Sequence, residues 1–494
     1  MRAEGAGVSS GGAEDVGFAV GEHADFESRL MKGAGCPLDC KNVWRGEGGV
    51  VMRDRWFHGP CGTAGRGQVW SWISYDVANQ SFTLIVNTML FSIFFAQVVV
   101  RDETTDDRWW ALAYGGSMLA AAIGSPWIGA VADDRGWKKA GLIATGLLCG
   151  ICTCGLAWIG PGQIALAMLL YVPANFAFAI GENFLASFLP SLASEEEVGE
   201  LSGFSWGVAY VAAFLLLVVT AGGMSLFGWT GPDQWRPFFV VAGLWFLGFM
   251  VPTLLWLREP PVSPGRVLVA GRSWWSTGFA RLIDICRHLR SHRDLAVLMA
   301  ASFFFATGMS VMVSFASKLA GEYGFKEVQM VVFIAVITVS GVVGTLVPMR
   351  FQDRLGHRAT SALLLALWIV AILGFAAYAH LYEAHREGGG GSDYPTWPLW
   401  VVGNVMGFGL GSLGAANRAF VAYLAPSGKS AETFGVWGLM IKLAAVMTFP
   451  FAWVKDTAGS PRALLLLALF LVVGLLLTWC VDEKRGRALA GGAS

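Results

Sequence analysis

The chain predicts an all-α integral membrane protein: twelve transmembrane helices in two pseudo-symmetric six-helix halves. Three observations predict it. Of 494 residues, 55% are hydrophobic and only 14% charged, against about 25% charged in ordinary soluble domains. From Val69 onward, apolar stretches of about 20 residues recur, the length that crosses a hydrocarbon core. One long polar break, 258–295, divides those stretches into two equal sets.

Taken in order, residues 1–67 are Gly-rich and polar without apolar periodicity, so a disordered leader is expected. They hold no basic start followed by an apolar core of signal-peptide type, and Met52, ahead of Arg53 and Arg55, is a second candidate start. The first half, 68–257, contains spans 69–99, 109–132, 140–159, 163–189, 201–222 and 237–257. In the cytoplasmic linker 258–295, Phe279, Leu282, Ile283, Cys286 and Leu289 fall at helical spacing opposite Arg281, Arg287, Arg290 and Arg293. That pattern predicts a basic amphipathic helix lying on the membrane face. The second half, 296–481, contains spans 296–320, 328–349, 360–382, 398–424, 433–453 and 462–481. The glycine run ending at Ser392 reads as flexible spacer, and 482–494 as a cytoplasmic tail. The spans must be helical, because lipid offers free backbone groups no partner.

Basic residues set the orientation. With both termini cytoplasmic, Arg135, Lys138, Lys139, Arg258 to Arg293, Arg350, Arg354, Arg358, Lys484, Arg485 and Arg487 lie inside. Only scattered ones such as Arg101, Arg108, Arg236 and Arg386 lie outside. The short loops fit a prokaryotic cytoplasmic (inner) membrane. Zero formal net charge gives no hint of nucleic-acid binding, and the eight cysteines show no zinc spacing. No metal and no cofactor are expected. There is no phosphate-binding glycine loop and no nucleophile–base pair on a shared helix face, so an enzyme is not expected.

An internal repeat marks the second loop of each half. Gly129, Asp133, Gly136, Lys138 and Lys139 follow the second span, and Asp353, Arg354, Gly356 and Arg358 follow the eighth. A tight two-helix connection needs glycine at the turn, a carboxylate to meet a helix N-terminus and basic residues toward the inner leaflet. The first copy resembles the loop signature of the major facilitator superfamily, with departures at Asp134 and Trp137; Met349 stands where the second copy would have glycine. Other segments resemble the vacuole-effluxer-like branch, the autophagy-related amino-acid effluxers. These are Trp72 to Phe82, Phe188 to Ala193, Ser202 to Tyr210, Asn417-Arg418 to Pro426, Glu432 to Gly435, and Lys442. Leu185-Ala186 and Thr307 depart from that pattern. The resemblance implies two halves rocking about a midplane site, a cavity lined by the first, fourth, seventh and tenth helices, and efflux of amino acids.

A charge at mid-helix costs roughly 2.5–3.5 kcal/mol on insertion scales, so each one should face protein or water. Asp76, Glu182, Arg418 and Lys442 are such charges, the acids in the first half and the bases in the second, at similar depth. They are expected to pair across the halves and close the cytoplasmic side when the outer side opens. The rival role is substrate binding, with Arg418 for a carboxylate and Asp76 for an amine; the bland one is that Lys442 snorkels within its own half. Asn79 and Asn183 extend the same wet faces, and Tyr75, Thr83, Asn175, Asn404 and Asn417 are expected to line the cavity. The stripe Thr307, Ser310, Ser314 and Ser317 is either wet face or helix–helix glue. A carboxylate held away from bulk water can carry a proton in each cycle, which makes Asp76 and Glu182 the coupling candidates. The expected function is a secondary transporter, exporting a small solute, acting as a monomer in the bilayer. The alternative is a non-transporting scaffold or receptor that uses a transporter fold.

Overall fold

With no water to satisfy the backbone, long apolar runs have one solution, and the chain adopts it: the described residues form helices, with no strand among them. The computed structural model describes residues 65–102, 104–192, 198–229, 231–259, 292–389, 394–425 and 430–490. The expected leader, nearly all of the linker with its amphipathic helix, and the spacer residues 390–392 lie outside the described residues.

The first half contains α1 (Arg66–Val100), α2 (Asp106–Arg135), α3 (Lys138–Trp158), α4 (Ile164–Leu192), α5 (Val198–Phe227) and α6 (Pro232–Trp256). The second contains α7 (Arg293–Glu322), α8 (Glu327–Leu355), α9 (His357–Glu387), α10 (Trp397–Leu424), α11 (Ser430–Ala444 continuing through Thr448–Ala458) and α12 (Ser460–Trp479). A short α13 (Glu483–Ala490) follows. Among the described residues, eleven helices are both long and apolar enough to cross a bilayer. The remaining expected span, α2, has the length at 30 residues. Its Gly, Ser, Trp and Tyr residues and Pro126 dilute its apolar character.

Local sequence shapes the helices. In α1, Thr83 Oγ1 donates to the Asn79 carbonyl at 3.1 Å and Thr88 Oγ1 to the Thr83 carbonyl at 2.8 Å. These hydroxyls compete with the backbone ladder, and the stretch Phe82–Met89 is wound as π-helix. In α11, Pro450 cannot donate to the preceding turn, and a 3-10 segment, Ala445–Met447, precedes it.

The repeat extends to backbone geometry. Gly136 (φ 64°) ends α2 and Gly356 (φ 83°) ends α8, both in the left-handed region where only glycine is unstrained. After each turn a carboxylate from just beyond the last span of the same half meets the next helix. Glu259 accepts from the Lys138 and Lys139 amides at 2.8 and 2.6 Å. Glu483 accepts from the Arg358 amide. Both carboxylates sit where a helix N-terminus favours negative charge. Arg358 also donates to the Val481 carbonyl at 3.2 Å, and Arg354 lies in the last turn of α8. The side chains of Asp133 and Asp353 lie outside the described residues.

α1 and α7 are the most enclosed spans, with 78% and 61% of their apolar windows buried against 28% for α5 and α11, so they run through the centre. Leu169, Leu226 and Val370, each at least 67% exposed, turn outward as a lipid-facing surface would. α8 and α10 approach most closely: a Cβ added at Gly411 would lie 2.0 Å from the Gly341 carbonyl oxygen.

Candidate functional site

Two polar systems occupy the interface between the halves. The first lies toward the end of the bundle that carries Arg135, Lys138, Lys139, Arg354 and Arg358, here termed the basic end. Asp76 (α1), Glu182 (α4), Arg418 (α10) and Lys442 (α11) are all half-buried there. At 1.5 Å per residue they lie roughly 9–18 Å from that end.

Each charge is held by a named partner. Asp76 accepts a hydrogen bond from Ser205 Oγ of α5, and Glu182 accepts one from Asn79 Nδ2 of α1. Lys442 Nζ reaches from the second half to donate to Asn183 Oδ1 at 2.6 Å, and Asn183 Nδ2 donates to Ser125 Oγ at 2.7 Å. The Arg418 guanidinium stands 4.7 Å from the ring centre of Trp206, in the first half, and 5.5 Å from that of Trp437, in the second. Asp76 lies within the field of Arg418, and Glu182 within those of Asp76, Lys442 and Arg418. The two acids and two bases therefore form one electrostatic cluster, spanning α1, α4, α10 and α11. Beside it a cavity of 120 Å³ is lined by Ser125, Gly129, Lys138, Asn183, Phe184 and Ser187, among others.

The remaining expected cavity residues divide. Thr83 and Asn404 are half-buried; Asn404 accepts from Ser340 Oγ of α8 and donates to the Trp400 carbonyl. Tyr75, Asn175 and Asn417 are buried in helix–helix contacts. The Tyr75 hydroxyl donates to the Leu142 carbonyl of α3 at 3.2 Å. Asn175 accepts from Asn87 at 3.0 Å and donates to Ser117 at 2.7 Å. Asn417 accepts from Ser302 at 2.9 Å and from Trp437 at 2.7 Å. A polar side chain with all its partners on adjacent helices stabilises packing.

The second system, at the opposite end, escaped the sequence reading. Lys318 of α7 donates to Asp106 at 2.7 Å and to Asp107, both in the first turn of α2. Lys455 of α11 donates to Asp107 at 2.5 Å and to Glu322. Arg108 Nε is 2.8 Å from Asp456 Oδ2. Deeper in, Trp110 Nε1 donates to the Ser314 carbonyl at 2.8 Å and Ser317 Oγ to the Thr88 carbonyl at 2.7 Å. Ser314 and Ser317 thus join α7 to the first half. The available signal was Lys318 inside an otherwise apolar span, where a charge needs a partner. In the adjoining loop, hydroxyls of Thr104 and Thr105 hold the Asp102 carboxyl below the usual carboxylate range.

Comparison with known proteins agrees with this architecture. The family described as "Vacuole effluxer Atg22 like" matches residues 112–491. The "Uncharacterized MFS-type transporter YxiO" of Bacillus subtilis (strain 168) is 21% identical over 436 residues, 84% of this chain and 94% of that protein. "Autophagy-related protein 22" of Yarrowia lipolytica is 25% identical over 308 residues, 58% of this chain and 51% of that protein. The chain thus spans about half the length of that fungal relative. Among solved structures, a D-xylose-proton symporter superposes with TM-score 0.64 at 14% identity, covering 85% of this chain and 98% of its own. A bacterial homolog of the human lysosomal transporter Spinster gives TM-score 0.57 over 86% and 97%. The fold is that of the major facilitator transporters.

Proposed function

The chain belongs to the vacuole effluxer Atg22-like family of transporters, and we propose that it exports a small zwitterionic solute, amino acids first among them, by alternating access. The observation that carries this reading is the gathering of charges where the halves meet: Lys442 bonds to Asn183 beside Glu182, and Arg418 stacks on Trp206 next to Ser205, the partner of Asp76. A zwitterion presents one ammonium and one carboxylate, and a site holding both charge signs on separate halves can bind it while the halves close around it. The amine would sit against Asp76 and Glu182, the carboxylate against Arg418 and Lys442. Binding that draws the halves together is what couples substrate to a change of access.

The proposal extends to energy coupling and location. Glu182 is the proton carrier in this reading, with Asp76 engaged by Arg418. The basic end is cytoplasmic by the positive-inside rule, in a prokaryotic cytoplasmic membrane, and the protein works as a monomer. The test is release of a labelled amino-acid panel from preloaded cells, comparing wild type with Asp76→Asn. Faster release of one amino-acid class by wild type alone supports the reading. If no amino acid moves under any imposed pH gradient, the amino-acid assignment is overturned.

A further inference from the structure

The ion-pair network at the end opposite the four-charge cluster links the halves through very few residues. Among the described residues, the first half's charges in it come from three consecutive positions, Asp106, Asp107 and Arg108, at the start of α2. The second half answers with Lys318 from α7 and Lys455 and Asp456 from α11. Asp107 is the point where both lysines meet, and its side chain is 4% exposed, with Lys318 at 7% and Lys455 at 8%. Charges buried to that degree hold together only while they stay paired.

We propose that Asp107 is the latch of the outer gate: clasped by Lys318 and Lys455, it fixes α2 to α7 and α11, and its release opens the outer side. This rests on the alternating-access reading and assigns the outer gate to particular residues.

The two sides of the latch are built differently. Lys455 is also held within its own half by Glu322, which in turn accepts from Ser460 Oγ at 2.8 Å. The lysine therefore stays partnered and in place when the halves separate, ready to receive Asp107 again. Below the latch, the Trp110–Ser314 and Ser317–Thr88 hydrogen bonds and the 3.1 Å contact of Ser92 with Ser317 seal the same interface. On α1 these sealing residues lie in or beside π-helical stretches, Phe82–Met89 and Phe95–Val100. Such stretches are poorer in regular hydrogen bonds and are common sites of helix bending.

The distinction between cross-half and within-half pairs gives a test that needs no substrate. Amide hydrogen–deuterium exchange is measured on the full-length protein in lipid nanodiscs. Asp107→Asn is expected to raise exchange at the outer ends, residues 86–92, 106–114 and 312–322, by roughly tenfold or more, as loss of one partner of a buried pair implies. The same variant should lower exchange at the inner ends, residues 204–210 and 415–424, because opening one side closes the other. Arg108→Gln, which cuts the more exposed cross-half pair with Asp456, should give the same reciprocal pattern at smaller amplitude, and it serves if Asp107→Asn does not fold. Glu322→Gln, which cuts a pair inside the second half, should keep the outer-to-inner exchange ratio within about twofold of wild type, since it spares every cross-half pair. A rise at the outer ends without a fall at the inner ends would overturn the latch, showing only a local packing contact. So would a Glu322→Gln shift as large as that of Asp107→Asn. A reciprocal shift in a protein that moves no amino acid would retain the latch and reject only the substrate assignment.

Discussion

Lys442, on α11 of the second half, donates a 2.6 Å hydrogen bond to Asn183 on α4 of the first. This bond ties a cation deep in the bundle to the opposite half, on the helix whose Glu182 accepts from Asn79 of α1. Lys442 therefore does not snorkel within its own half. Removing its charge should affect transport more than folding: Lys442→Gln is expected to lower initial transport rate by roughly tenfold or more, the scale of losing a charge-assisted hydrogen bond. Lys442→Arg should keep a measurable part of it. Equal losses in the two variants would show that length and shape at this position matter and charge does not.

The stacking of Arg418 between Trp206 and Trp437 gives a second prediction. A guanidinium over an indole at 4.7 Å is worth about 0.5–2 kcal/mol. Trp206→Phe should therefore change apparent substrate affinity by less than about threefold, and Trp206→Leu by roughly threefold to thirtyfold. Rates measured across a substrate titration separate the two, and a tolerated leucine would contradict a role for the ring.

Ser205 supports Asp76 rather than contacting the opposite half. Its removal leaves the carboxyl in place but less firmly held, a loss of about 1.5–3 kcal/mol for a hydrogen bond to a charged group. Ser205→Ala is thus expected to retain transport at a reduced rate, where Asp76→Asn abolishes it. The pair of initial rates is the check.

Close approach of α8 and α10 predicts a stability effect that involves no charged group. A methyl at Gly411 would meet the Gly341 carbonyl at 2.0 Å, a backbone atom that cannot move aside. Gly411→Ala should cost about 1–3 kcal/mol as overpacking and lower the thermal unfolding midpoint in detergent by several degrees. Ala substitution at Gly438, where nothing stands within 4 Å, should leave the midpoint near wild type.

Much of this was legible in the chain for one physical reason: lipid removes alternatives. Helices are forced on every apolar run, and the four charges stand out because an apolar helix gives no other reason for them. Uncharged polar residues carried less information. Tyr75, Asn175 and Asn417 lie on helices with two polar destinations, cavity or neighbour, and only the bonds to Leu142, Asn87, Ser117, Ser302 and Trp437 decide between them. The network at the end opposite the four charges was hidden for the opposite reason. Asp106, Asp107 and Arg108 sit at a helix start, where acidic residues are favoured by the helix dipole alone. Their partners are more than 200 residues away along the chain. The matching roles of Glu259 and Glu483 likewise emerge only when both are seen to cap the third helix of their half.

Acids of one half and bases of the other are proposed to form a single transport site. The most direct test is counterflow of labelled amino acids into proteoliposomes by Asp76→Arg, Arg418→Asp and the double exchange, each verified as folded by size-exclusion elution. Each single reversal is expected to abolish counterflow, and the double exchange to restore a measurable part of it. Single variants that transport normally, or a folded double exchange as inactive as either single one, would contradict it.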